Sequence, residues 1–305
     1  MASLKNIKLK ILSYKKTGTV THAMEAVSAV KMRKAQERAI GGRSYAAAAL
    51  SVLERLSSTA DVSRHPLMRP NKGKKGLIVV TSDKGLAGSL NSAVIRKAEQ
   101  WIKMEETGKE NLVIFAIGRR GADYFQNRGY EIRDRVENVS DDVSEADVRR
   151  ITDLIIHLHR VGEIGECTIL YQNFVSTFEQ KPEERMIIPI TKEMMRTMIA
   201  GIRPVRGKYA PQAVDTAKPV AAYTIEPDAD SVLAELLPRL LNIALFHALL
   251  ESKASEHSAR MVAMKSATDK AHEMAHSYTR TFNKVRQAAI TREVSEITSG
   301  IEAMR

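Results

Sequence analysis

The sequence predicts an α/β fold joined to a long-helix coiled coil: an antiparallel two-helix coiled coil built from the N- and C-termini, with a central Rossmann-like α/β domain between them. Three observations predict it. All nine prolines lie between Pro66 and Pro238, and of sixteen glycines only Gly18, Gly41, Gly42 and Gly300 fall outside that window, so helix breakers concentrate in the middle of the chain. Residues 239–299 contain neither Pro nor Gly, a stretch of about 60 residues that as one helix would run about 90 Å. Between the ends, β-branched apolar runs alternate with segments of helical spacing, the order of a mostly parallel sheet. Aromatic residues make up only 5% of the chain, against an abundance of Ala, Met, Lys, Arg and Glu, which disfavours an all-β sandwich.

In chain order, residues 3–57 read as the first long helix, with Ser3 as N-cap and Gly41-Gly42 as a weak point. Its seam runs Ile7, Ile11, Tyr14, Gly18, Thr21, then Met24, Val27 and Val30. Strands are expected at 77–81, 112–117, 130–136, 167–174 and 186–190, and helices near 90–106, 120–128 and 145–162, the last carried by Val148, Ile151, Ile155 and Leu158. Residues 191–222, with Gly201, Pro204, Gly207, Pro211 and Pro219, read as a long basic loop. The last helix starts a 4-3 series at Leu241, Leu245 and Ala248, continued by Ser252, Ser255, Ala259 and Val262. A displaced series then takes over through Met261, Met264, Thr268, Ala271, Ala275, Tyr278, Phe282, Val285 and Ala289, before Ile290, Val294, Ile297, Ile301 and Met304 close the chain. A stripe that migrates in this way suits a loosely wound two-helix coil, because a 3.6-residue helix drifts against a seven-residue repeat. The expected parts are 1–65, 66–226 and 227–305. The pattern fits both an ordinary helical hairpin carrying a domain and a shaft whose surface slides against a partner.

The net charge of +11 sits in the terminal helices: 1–65 carries 12 basic and 4 acidic residues, 239–305 carries 10 and 7, and 66–238 balances at 25 each. Such basic helices seek an acidic partner, which could be nucleic acid, an anionic membrane surface or an acidic protein collar. The apolar run at 240–250 is interrupted by Asn242 and His247 and is shorter than the roughly 20 residues of a membrane span. The N-terminus interleaves Lys5, Lys8 and Lys10 with Leu4, Ile7 and Ile11, and shows no apolar signal core. Cys167 is the only cysteine, so no internal disulfide can form, and it reads as a small buried residue.

Few local motifs suggest chemistry. His272-Glu273-Met274-Ala275-His276 matches the zinc-hydrolase pattern H-E-x-x-H, but the downstream carboxylates Glu293 and Glu296 lie about 30 Å further along the same expected helix and cannot fold back as a third ligand. His157 and His159 fall on different helix faces. The segment Thr81-Ser82-Asp83-Lys84-Gly85-Leu86-Ala87-Gly88 follows a strand and precedes a helix, where nucleotide folds place a phosphate loop. It matches neither G-x-G-x-x-G nor G-x-x-x-x-G-K-[ST], and reads as a tight turn exposing Asp83 and Lys84. Asn138-Val139-Ser140 fits a glycosylation sequon that stays idle without secretion.

Residues 4–38, with Thr21-His22-Ala23-Met24-Glu25-Ala26-Val27 and Lys31-Met32-Arg33-Lys34-Ala35-Gln36, resemble the N-terminal helix of the gamma subunit of F-type ATP synthases. Ala254-Ser255-Glu256-His257-Ser258-Ala259-Arg260-Met261 through Asp269, and Asn283-Lys284-Val285-Arg286-Gln287-Ala288-Ala289-Ile290-Thr291, resemble that family's other shaft helix; the run Ser82 to Asn91 is similar to its signature after the first strand. The resemblance implies a non-catalytic central-stalk rotor subunit with no cofactor, turning inside three catalytic and three non-catalytic nucleotide-binding subunits. It also implies an epsilon-type small stalk subunit and a proton- or sodium-conducting c-type ring as partners, with the membrane reached only through the complex, on the cytoplasmic side of a cell membrane. By position, the resemblance sets Arg286 and Gln287 against a catalytic-subunit loop, Lys84 against an acidic loop, Met24 beside Arg260 in that same region, and Tyr223 and Glu226 at the foot near the ring. Lys84 stands where Arg is commoner, which keeps the charge but removes the bidentate fork. Two competing readings are a basic coiled-coil protein that binds nucleic acid, with affinity falling steeply with salt, and a zinc hydrolase built on His272, Glu273 and His276.

Overall fold

The computed structural model describes residues 4–41, 48–49, 51–53, 56, 64–191, 194, 226 and 228–304. They form two units: Met1–Ser28 with Arg260–Arg305, and Ala29–Ala259. Ser3, Tyr223 and all of the 191–222 loop except Thr191 and Met194 lie outside the described residues.

The first unit pairs the start of helix α1 (Leu4–Gly41) with the end of helix α5 (Ala229–Ala303). Tyr14 stacks on Tyr278 with ring centroids 5.5 Å apart, and the hydroxyls of Thr21 and Thr268 are 2.6 Å apart. Numbers that rise along α1 meet numbers that fall along α5, so the pair is antiparallel. Gly18 admits close approach: a Cβ built there would lie 3.6 Å from both the Ala271 Cβ and the His272 Nε2. The displaced series forms the buried line on α5, with Met264, Thr268, Ala271 and Ala275 buried. On α1 the expected continuation is wrong at Val27 and Val30, which are 53% and 58% exposed; the buried line passes instead through Ser28 and Ala35. The 4-3 rhythm from Ile7 leads to those positions, and steric fit at a close seam favours the small residue over the more apolar one.

The second unit is built on a five-stranded sheet. Its strands are β1 (Lys74–Val80), β2 (Leu112–Ile117), β3 (Ile132–Val136), β4 (Ile164–Ser176) and β5 (Glu179–Ile188), in the order β3-β2-β1-β4-β5. The first four strands are parallel, and β4 and β5 form an antiparallel hairpin. The expected strand at 186–190 is therefore the end of a longer edge strand that begins at Glu179 and contains Pro182, a residue tolerated at an edge because its missing N–H is not needed there. Helices α2 (Leu90–Met104), α3 (Arg119–Gln126) and α4 (Glu145–Arg160) connect the parallel strands. The side chain of Ser144 caps α4, accepting a hydrogen bond from the Asp147 N–H at 3.2 Å.

Alternation along β1 and β2 divides the core between two faces. Leu77, Val79, Leu112, Ile114 and Ala116 meet Val94, Ala98 and Trp101 of α2 and Phe125 of α3. Ile78, Val80, Val113, Phe115 and Ile117 belong to a larger cluster with Val148, Ile151 and Ile155 of α4 and Leu233, Leu237, Leu240, Leu241 and Leu245 of α5. That burial explains how α5, starting at Ala229, runs through Pro238. A proline inside a helix costs about 3 kcal/mol, and each leucine buried around it returns about 2 kcal/mol. One stretch of α5 is apolar and long enough to cross a bilayer by composition, but half of it is buried within the protein, as in a core helix.

Candidate functional site

The loop after β1 is built by side chains that satisfy its backbone. Asn91 Oδ1 accepts from the Ser82 N–H at 2.9 Å, Asn91 Nδ2 donates to Ser82 Oγ at 2.8 Å, and the Ser82 hydroxyl donates to the Lys84 carbonyl at 2.5 Å. Thr81 Oγ1 accepts from the Gly121 N–H at 2.9 Å. Gly118 has φ +94, and a Cβ there would lie 2.0 Å from the Thr81 carbonyl oxygen, so only glycine lets the two strand ends approach.

Asp83 corrects the expectation that it is displayed with Lys84. Its Oδ1 accepts from the Arg119 N–H at the start of α3 and its Oδ2 from the Asn138 N–H, both at 3.0 Å. The anion position at the N-terminus of α3 is filled by the chain's own carboxylate, while the helix that the loop itself precedes is α2. What the loop presents outward is Lys84, which is exposed, and Leu86, which is 64% exposed.

The crevice at the carboxyl ends of the parallel strands, where doubly wound sheets bind nucleotides, is also occupied. The Ser255 hydroxyl of α5 donates to the Gln172 carbonyl of β4 at 3.1 Å. Between α5 and the ends of β1 and β2 the cavity lined by Thr81, Gly118, Ser252 and Lys253 measures about 10 Å³, room for about one water.

The remaining positions are distributed over the long helices and the sheet unit. Met24 is half-buried on α1; on α5 Arg260 is buried, while Arg286 and Gln287 are exposed; Glu226 is exposed in the sheet unit. Arg260 and Arg286 lie about 39 Å apart along one helix, so they act as separate stations. His272, Glu273 and His276 are exposed, Glu273 pairs with Lys270 at 2.8 Å, and no group of three potential metal ligands exists among the described residues. His157 is exposed and His159 buried, with Nδ1 3.0 Å from the Ile164 carbonyl and Nε2 3.1 Å from that of Pro66. Burial pushes the Cys167 thiol above its ordinary range, which suits an inert core residue.

Sequence reasoning missed two polar clusters. One is Tyr171, fully buried, whose phenol is pushed up by burial and then by the charge of Glu251, with the Arg185 guanidinium 5.3 Å from its ring. The other is the acidic pair Asp141-Asp142, whose one available signal is two adjacent carboxylates in a loop next to basic helices.

These features define a class of protein: a paired-helix shaft attached to a nucleotide-type sheet whose ligand crevice is filled by the shaft's own helix. A family profile described as "ATP synthase" matches residues 3–304. The chain is 37% identical to the ATP synthase gamma chains of Heliobacterium modesticaldum and of Pelotomaculum thermopropionicum, each over 305 residues and the full length of both proteins. Its fold is similar to a chain of the Euglena gracilis mitochondrial ATP synthase (OSCP/F1/c-ring, rotational state 3), with a TM-score of 0.64 at 15% identity over 99% of this chain and 94% of that one. It is also similar to a chain of the Tetrahymena thermophila mitochondrial ATP synthase central stalk/c-ring, with a TM-score of 0.57 at 20% identity over 81% and 99%. The chain belongs to the ATP synthase gamma chain family. It is accordingly a non-catalytic central-stalk subunit of a rotary ATP synthase, a complex bound to the membrane, and neither nucleic-acid binding nor zinc hydrolysis finds support.

Proposed function

We propose that this chain transmits rotation from a proton- or sodium-driven c-type ring to three catalytic subunits, alternating with three non-catalytic ones, on the cytoplasmic side of a cell membrane. The observation that carries the reading is the end of α5. Ile290, Val294, Ile297 and Ile301 are 52%, 54%, 63% and 60% exposed at 4-3 spacing, an apolar stripe on a helix that calls for an enclosing partner. Arg286 and Gln287, one turn earlier, supply exposed polar contacts for a catalytic-subunit loop. Lys84 offers a charge to an acidic loop, Met24 and Arg260 meet that same region, and Tyr223 and Glu226 serve the foot near the ring, beside an epsilon-type subunit. The parts are a shaft helix at 1–65, a foot domain at 66–226 and a second shaft helix at 227–305. A shaft that presents different faces to chemically identical subunits shifts their states only through such differential contacts.

The test is reconstitution with the two large nucleotide-binding subunits of the same source. One copy per three-plus-three hexamer, with a rise in multi-site ATP hydrolysis, is expected; a chain that stays apart and leaves turnover unchanged refutes the proposal. Arg286→Ala with Gln287→Ala, and separately Lys84→Glu, are expected to lower turnover while one copy still assembles.

A further inference from the structure

The loop between β3 and α4, residues 137–144, holds three carboxylates and no Lys or Arg, and basic side chains from both long helices converge on it. Lys31 Nζ of α1 donates to Asp141 Oδ2 at 2.6 Å, and Arg38, seven residues further along α1, pairs with Asp142. From α5, His257 Nε2 lies 2.8 Å from Asp141 Oδ1, and Lys253 Nζ donates to the Val139 carbonyl at 2.9 Å. Spacings of seven and four residues put each pair of basic side chains on one helix face. The loop itself is fixed at both ends. Asn138 donates its N–H to Asp83, Val143 is 4% exposed, and Ser144 caps α4.

The two helices are held to the sheet unit by different means. Leucines of α5 form part of the core, whereas among the described residues α1 contributes to that core only Ala39, at its edge, and its buried residues here are as small as Ala35. Small apolar residues give little interdigitation against sliding; ion pairs and hydrogen bonds have a direction and a fixed partner. Through Asn138 and Asp83 the same loop is also bonded to the turn that presents Lys84.

We propose that Asp141 and Asp142 are positioning residues that key α1 and α5 to the sheet unit and to its Lys84 loop, so that torque enters α1 through this joint. The inference rests on the rotor reading above. The Lys31–Asp141 and Arg38–Asp142 pairs are exposed, and such pairs contribute little to folding, so their effect belongs in coupling rather than in stability.

The experiment uses the reconstituted membrane complex and measures ATP hydrolysis and ion pumping together, with a thermal melt of each variant chain. Asp142→Arg alone and Arg38→Asp alone are expected to lower ions pumped per ATP by about twofold or more, the size of a modest pairwise coupling, with the melt unchanged; Asp141→Asn is expected to lower the ratio likewise, with a small loss in the melt because its carboxylate also meets the buried His257. The combination of Arg38→Asp with Asp142→Arg is expected to restore the ratio. Unchanged pumping in the single variants overturns the proposal. So does an exchanged pair that pumps as poorly as the singles, which would give the loop a merely structural role. If the unaltered chain fails to enter the hexamer, the rotor reading itself fails, an outcome visible before any variant is made.

Discussion

At Asp83 a single carboxylate determines what the loop after β1 can do. Removing it in Asp83→Ala leaves the N–H groups of Arg119 and Asn138 without their acceptor, which costs about 1–3 kcal/mol. A thermal melt should show that loss, and Asp83→Asn, which keeps one acceptor oxygen, should lose less. The next residue, Lys84, is free to meet a partner because its neighbour is spent on the fold. His65 gives a pH dependence of known sign. Its Nδ1 accepts from the Leu67 N–H at 3.2 Å, and burial, followed by the charge of Arg160, holds its pKa below the ordinary 6.5. The unfolded chain then binds the proton more readily, so this contribution to stability is complete above pH 6.5 and is lost as the pH falls through the folded value. A melt comparison should find His65→Gln more costly at pH 8 than at pH 5. Asp141 works in a lower window. Burial raises its pKa, but the Lys31 hydrogen bond and the charges of His257, Lys31 and Lys253 outweigh burial and hold it below 3.8, so its contribution is present above that pH and is lost on further acidification. Asp83 and Lys84 were both visible in the sequence as residues of a strand-to-helix turn. Their opposite roles were not, because the partners of Asp83 lie 36 and 55 residues away in the chain.

At the level of elements, periodicity located the strands and helices well and their ends less well. β1 and β2 announce themselves as apolar runs because both of their faces are buried. β5 is half-exposed and charged along much of its length, so only its apolar end was legible. Helix α4 carries its own start signal in Ser144, and Ser144→Ala should cost about 1 kcal/mol, measured by denaturant unfolding. In the seam of the paired helices, one of the Thr21 and Thr268 hydroxyls donates to the other, which donates in turn to a carbonyl of its own helix. Replacing both with the isosteric valine removes two polar groups together and should leave the pair as stable or more so. Amide exchange around residues 14–28 would report this, and faster exchange in the double variant would contradict it.

For the whole molecule, the filled crevice and the exposed helix end predict opposite responses to small and large partners. ATP added to the free chain should leave the NMR signals of Thr81, Gly118 and Ser252 in place, because the cavity they line holds about 10 Å³. Assembly with the large nucleotide-binding subunits should slow amide exchange at residues 290–304, which in the free chain should exchange quickly because their apolar stripe is exposed. Ile297→Asp should leave the melt of the free chain within about 0.5 kcal/mol and weaken its incorporation into the complex.

The sequence by itself determined that two breaker-poor, basic helices flank an alternating α/β segment, since turn residues, charge and hydrophobic period are local properties of the chain. The same order of residues carried the resemblance on which the central-stalk role was first read. Only the tertiary structure decided what lets α5 carry Pro238, that the seam follows Ser28 and Ala35, that Asp83 closes the anion site, and that Asp141 and Asp142 are bonded to both long helices. Each of these depends on a partner distant in sequence: burial of leucines against the sheet outweighs the cost of a proline, close approach favours small residues over valine, and a carboxylate takes its role from the donors that folding brings to it.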